Sequence, residues 1–113
     1  MPTSTRACLA GSRFGVEVQF KTPDGAPGTG NAIKYTSNSA LFWFFGADNI
    51  EMVVKVLDAC PSRFWVFGAS ATSLEYTITV TDSHTGKTKT YSHAPNTPTV
   101  AITDTNAFDT CGQ

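Results

Sequence analysis

Hydrophobic and polar residues alternate with a period of two along much of this chain. In residues 13–21, RFGVEVQFK, Phe14, Val16, Val18 and Phe20 fall on one side and Gly15, Glu17, Gln19 and Lys21 on the other. That is the pattern of a strand with one buried face. Residues 74–81, LEYTITVT, repeat it, with Leu74, Tyr76, Ile78 and Val80 inward and Glu75, Thr77, Thr79 and Thr81 outward. In residues 51–57, Met52, Val54 and Val56 point one way, and Val53, Lys55 and Leu57 the other. Lys55 places its side near a rim. Residues 41–45, LFWFF, have no polar member, so either both faces are covered or one is covered and the other binds something. Residues 63–67, RFWVF, form a further strand, and 32–38, 87–92 and 99–103 shorter ones. The stretch 39–58 is the centre against which the rest is expected to pack.

Turn residues separate these runs. Residues 22–31, TPDGAPGTGN, read as an exposed loop, because Pro23 presets φ and Gly25 accepts positive φ. Gly86 supplies the left-handed residue that closes the connection after Asp82. Residues 1–12 read as a flexible N-terminal arm, and 104–113 as a tail. The expected fold is all-β: a single-domain antiparallel β-sandwich over residues 13–113, immunoglobulin-like, with seven to eight strands and no helix.

The chain has 113 residues, of which 41% are hydrophobic, enough for a packed core. Charged residues make up only 15%, against roughly 25% in an average domain. Threonine and serine take their place, as suits the solvent side of strands. The net charge is −1 and the lysines are scattered, so no nucleic-acid footprint is present. No apolar run approaches the ~20 residues of a membrane span, so no membrane insertion is expected. The N-terminus lacks the apolar stretch of a signal peptide, which fits either a cytosolic protein or a mature domain with a replacement start Met.

Candidate chemistry is sparse. There is no G-x-S-x-G elbow, and His84 and His93 read as a turn residue and a strand-end residue. Gly28-Thr29-Gly30 lacks the Lys-Ser/Thr ending of a phosphate loop. The carboxylates of Glu17, Glu51, Asp58 and Glu75 fall on different strands, mostly facing solvent. No third ligand accompanies the two histidines. Asp104 and Asp109, with Asp24 or Asp48, could hold calcium, but no loop has a calcium pattern. The expectation is therefore no enzyme, no cofactor and no metal. Cys8, Cys60 and Cys111 contain no C-x-x-C pair. They fit one disulfide with one thiol left over, or three free thiols in a reducing compartment.

Aromatics are the stronger signal. Residues 41–45 divide into Phe42 with Phe44 on one face and Trp43 with Leu41 and Phe45 on the other. Trp65 and Phe67 likewise oppose Phe64 and Val66. If one set lies outside, it forms an apolar patch of functional size. Phe42, Phe44, Trp65 and Tyr35 are the binding residues expected on this reading; the alternative buries both sets.

The segments F-W-F-F and D-N-I-E-M-V-V-K-V-L-D-A-C (within residues 42–60), R-F-W-V-F (63–67) and Y-T-I-T-V-T-D-S-H-T-G (76–86) resemble a family of small all-β domains found in bacterial secreted and surface proteins. Cys8-Leu9 before Arg13-Phe14, and Asn106-Ala107-Phe108 before Cys111, match its two ends. The family carries no established activity, so the resemblance implies export and an accessory module but supplies no catalytic residues. It implies a Cys60 to Cys111 disulfide, with Cys8 free or bonded to a second chain; a Cys8 to Cys111 bond is the runner-up. The expected function is a non-catalytic extracellular interaction module, secreted or at the cell surface. Its partner is a protein or domain, another copy of itself included. A carbohydrate-binding module using exposed aromatics, or a secreted peptidase inhibitor using the 22–31 loop, is the alternative.

Overall fold

A computed structural model of the chain describes residues 3–98 and 101–113. Among them are ten strands: β1 (Ala7–Leu9), β2 (Phe14–Lys21), β3 (Pro27–Thr29), β4 (Asn31–Lys34), β5 (Ser39–Trp43), β6 (Ile50–Ala59), β7 (Arg63–Ser70), β8 (Glu75–Asp82), β9 (Thr88–His93) and β10 (Ile102–Phe108). They form two antiparallel sheets. The first runs β1-β2-β8-β9, with β3 on the same edge of β2 as β1; the second runs β10-β7-β6-β5-β4. The architecture is the expected sandwich. Its likeness to the immunoglobulin fold is one of layers, since the β4-to-β7 meander in one sheet is not the ABED and CFG order of a constant domain.

The alternating segments fold as their periodicity requires. Val16, Val18 and Phe20 of β2 lie opposite Val80, Ile78 and Tyr76 of β8, and all six are buried. Across the sandwich they meet Phe42 of β5, Met52, Val54 and Val56 of β6, and Phe64 and Val66 of β7. Side chains alternate across a strand, so these rows fix every other residue as outward.

Two strands more than expected come from segments that read as loops. Ala7–Leu9 is not part of a flexible arm: it pairs with Phe14–Val16, and Leu9 is fully buried. Within the 22–31 segment, Pro27–Thr29 folds back on β2 as β3. Gly28 is required there, because a Cβ would stand 2.4 Å from the Phe20 ring. At the other end, β10 extends to Phe108, so part of the expected tail is sheet. The strand expected at 99–103 lies partly outside the described residues, and within them it begins at Ile102. Gly86 adopts φ +77° in the β8–β9 connection, as expected.

One end of the sandwich is closed by a buried ion pair. Arg13 Nε and Nη2 donate to Asp82 Oδ1 and Oδ2 at 2.7 and 2.8 Å, and Nη2 also donates to the Thr110 carbonyl at 3.0 Å. The Asp82 side chain has no exposure and that of Arg13 has 10%. The backbone N–H of His84 and the hydroxyl of Thr85 donate to the same carboxylate. Burial alone would raise the Asp82 pKa; the Arg13 guanidinium and these donors outweigh it and hold the carboxyl well below the usual range. The guanidinium lies 4.7 Å from the Phe64 ring centroid. Phe14 packs against Phe64 and Phe108 at 4.7 and 4.9 Å. Along one open side, Tyr91 of β9 donates to Asp104 of β10 at 2.7 Å, tying one sheet to the other. Burial, with this bond and the neighbouring charge, raises the Tyr91 pKa and keeps the phenol neutral.

Cys60, in the β6–β7 turn, is disulfide-bonded to Cys111 with a Cα separation of 5.6 Å. This is the pairing implied by the resemblance, and the Cys8 to Cys111 alternative is excluded. Such a bond is compatible with an extracellular protein.

Asp82→Asn is expected to destabilise the domain by about 3–5 kcal/mol in chemical denaturation, since it leaves the Arg13 charge buried without its counter-ion. The depressed Asp82 pKa also makes wild-type stability acid-sensitive. Its contribution is full above the unfolded-state carboxyl pKa of about 4 and declines as pH falls toward the lower folded value. The variant is expected to lose that part of the acid dependence. Reduction of the disulfide, which spans 51 residues, is expected to cost at most about 4 kcal/mol, read as a lower denaturation midpoint in reductant.

Candidate interaction surface

The two outer faces of the sandwich differ in chemistry. On the first sheet, Thr77, Thr79 and Thr81 of β8 stand opposite Ser92, Thr90 and Thr88 of β9. Glu17, Gln19 and Lys21 of β2 complete the row on the other side. Across β2, β8 and β9 this face is largely hydroxylic and hydrophilic.

The second sheet's outer face is largely apolar. Ile33 of β4 pairs with Leu41 of β5, Leu41 with Val53 of β6, and Val53 with Ala69 of β7, which makes one continuous row. In the rows beside it, Lys55 pairs with Phe67, and Leu57 with Trp65. Trp43 ends β5 on this side, next to a register shift after Phe42. The Trp65 and Phe67 rings are stacked, with centroids 5.8 Å apart and planes at 28°. Leu41, Trp43, Val53, Leu57, Trp65 and Phe67 are all half-buried, and Ile33 is 39% exposed. Such half-burial is what apolar side chains packed side by side on the outside of a sheet show.

Lys55 is the exception. It lies on the central strand of the sheet, not near a rim as its position in the sequence suggests. Among the described residues it makes no ion pair; its Nζ is 5.8 Å from the Phe67 ring centroid. Beside it, Val53, Phe67, Ala69 and Ile102 line a shallow depression of about 280 Å³.

The residues expected to bind are divided by the structure. Trp65 lies on the apolar outer face. Tyr35 follows β4, donates its N–H to the Ser39 carbonyl, and is 71% exposed, beside the Lys55 row. Phe42 and Phe44 do not belong to the surface. Phe42 is fully buried opposite Met52, and Phe44 stacks on Phe20 at 4.2 Å. The outward set of 41–45 is Leu41 and Trp43, while Phe45, 62% exposed, sits at the sandwich end against Phe20. Cys8 is also corrected: at 4% exposure its thiol is not offered to a second chain. Of the four carboxylates read as mostly facing solvent, Glu51 is buried and accepts a bond from the Asn49 amide.

The candidate chemical groups are occupied in holding loops. His93 stacks on Tyr76, its Nδ1 is 2.9 Å from the Leu74 carbonyl, and its Nε2 is 3.0 Å from the Thr97 carbonyl and hydroxyl. The Thr97 hydroxyl donates to the Ala94 carbonyl, so the group fastens a turn. His84 contacts the Gln113 carbonyl. Asp104 is met by Tyr91 and Lys89, and Asp109 by Arg63. Asp24 accepts from Thr22 and the Ala26 N–H, which lowers its pKa. Among the described residues no three His, Cys, Asp or Glu side chains gather as a metal site.

The chain matches no protein-family profile, no curated protein and no solved structure.

The two faces of β5 predict unequal mutational costs. Phe42→Ala is expected to cost about 3–5 kcal/mol in urea denaturation. Leu41→Thr, one residue earlier and on the outer face, is expected to cost about 1 kcal/mol or less.

Proposed function

We propose that this protein is a non-catalytic, exported accessory module that docks another protein or domain through the outer face of its β4-to-β7 sheet. The observation that carries the reading is the contrast between the two outer faces. One is hydroxylic, as a solvated sheet should be. The other presents Leu41, Trp43, Val53, Leu57, Trp65 and Phe67 together. Contiguous exposed apolar patches are commonly interaction sites, which supports this reading. Tryptophan and other aromatics at the centre of such a patch are the residues that dominate binding energies. The disulfide and the resemblance to domains of bacterial secreted and surface proteins support export.

A second reading is a carbohydrate-binding face, favoured by the stacked Trp65 and Phe67 rings. Protein docking is preferred because aliphatic side chains surround those rings. A sugar site needs several polar groups converging beside its aromatic platform. Inhibition of a peptidase by the 22–31 segment is less favoured, since β3 holds that segment against β2 rather than projecting it.

The test is site-specific photo-crosslinking in the native host. A benzophenone side chain replacing Trp65 is expected to capture one defined protein, and the same group replacing Thr79 on the hydroxylic face is expected not to. Equal capture from both positions, or none from Trp65, overturns the docking reading. Retention on an insoluble polysaccharide that Trp65→Ala abolishes would instead establish the carbohydrate reading.

A further inference from the structure

The apolar face carries one charge at its centre, and that charge has no counter-ion in this chain. Lys55 stands between Ser39 and Phe67 on the middle strand, with apolar residues in the rows on either side. Lys21, Lys89 and Arg63 are paired with Glu75, Asp104 and Asp109. Lys34 and Lys87, which like Lys55 form no ion pair among the described residues, lie on the edge strand β4 and in the β8–β9 connection, not amid the apolar rows. A partner that covers the face removes water from the Lys55 ammonium. Desolvating an unpaired charge is strongly unfavourable unless the incoming surface supplies the opposite charge. A second copy of this chain docked by a two-fold axis through the face centre would bring Lys55 against Lys55, which disfavours self-association.

The depression beside Lys55 defines the rest of the ligand. Val53, Phe67, Ala69, Ile102 and Thr103 line it together with Lys55 itself. At about 280 Å³ it falls just below the ~300 Å³ at which small-molecule pockets begin. It is open and shallow, so it suits one large apolar side chain of a protein surface rather than an enclosed metabolite.

We propose that the docking face reads a paired apolar and acidic feature: an aromatic or aliphatic side chain seated in the depression, with an adjacent Asp or Glu carboxylate on Lys55 Nζ. This rests on the docking reading above and adds to it the chemistry of the partner. The carboxylate supplies specificity, because a partner lacking it leaves Lys55 desolvated and unpaired.

A random-peptide phage library panned on the folded, disulfide-intact protein tests this. The expected binders carry Asp or Glu next to a large apolar residue. Their affinity is expected to fall at least about tenfold on Lys55→Glu and on Trp65→Ala. Panning on the Lys55→Glu protein is expected to select Lys or Arg in place of the acid. Both substitutions lie on the solvent face, and circular dichroism of each variant checks that it is folded. Binders that need Trp65 but contain no acid and ignore Lys55→Glu overturn this inference and leave the docking face standing. Binders that ignore both substitutions overturn the two together, as does the absence of any enrichment over an unrelated β-sandwich.

Discussion

A carboxylate with no solvent exposure is among the most unfavourable things a small domain can contain, and this one places Asp82 where both sheets and the C-terminal segment converge. Arg13 answers it with two parallel hydrogen bonds, from Nε and Nη2, and Nη2 also holds the Thr110 carbonyl. Its guanidinium then forms a lid over Phe64 and Phe14, which pack with Phe108. The pair thus joins the start of β2, the end of β8 and the residue preceding Cys111. The disulfide fastens the same region to the β6–β7 turn. With that end fixed, the register of β2 on β8 is fixed, and the inward rows of both sheets follow from it.

Strands with strict alternation were legible from residue order alone, because one buried face and one wet face leave a period-two signature. β2 and β8 are of this kind, and the inward sides read for them are those observed; the two sets read for β6 are also separated as expected, with Met52, Val54 and Val56 buried. Residues 41–45 were not legible in the same way. Both of their faces are apolar, so residue type cannot say which faces the core. The decision is made across the sheet, by the Phe42 to Met52 pairing and the register shift that follows it. In the structure Trp65 lies on the outer face, whereas Phe42 and Phe44 lie in the core.

Short strands were missed for a different reason. Ala7–Leu9 and Pro27–Thr29 have too few residues to show a period, and Gly and Pro neighbours disguise them. Their stability comes from β2, which pairs with each in turn. Cys8 lies within β1 opposite Gly15 and is buried there. The central position of Lys55 was also hidden, since a lysine marks a wet face without saying how far it lies from the edge. What makes Lys55 informative is its company on the sheet, which only the three-dimensional arrangement provides.

The disulfide also sets a mechanical property. Tension entering the chain beyond Cys111 passes through the sulfur bridge to Cys60 and the end of β6. β7, β8, β9 and β10 all lie inside the covalent loop of 51 residues and carry none of that load. Stretched from both ends, the domain could release only the segment before Cys60, so its greatest extension is roughly half that of its contour. Trp65, Phe67 and the depression wall at Ala69 and Ile102 lie in the shielded half. Lys55 and Trp43 lie in the loaded half, so a pull strong enough to strip β6 from β7 would divide the apolar face along the seam between Lys55 and Phe67.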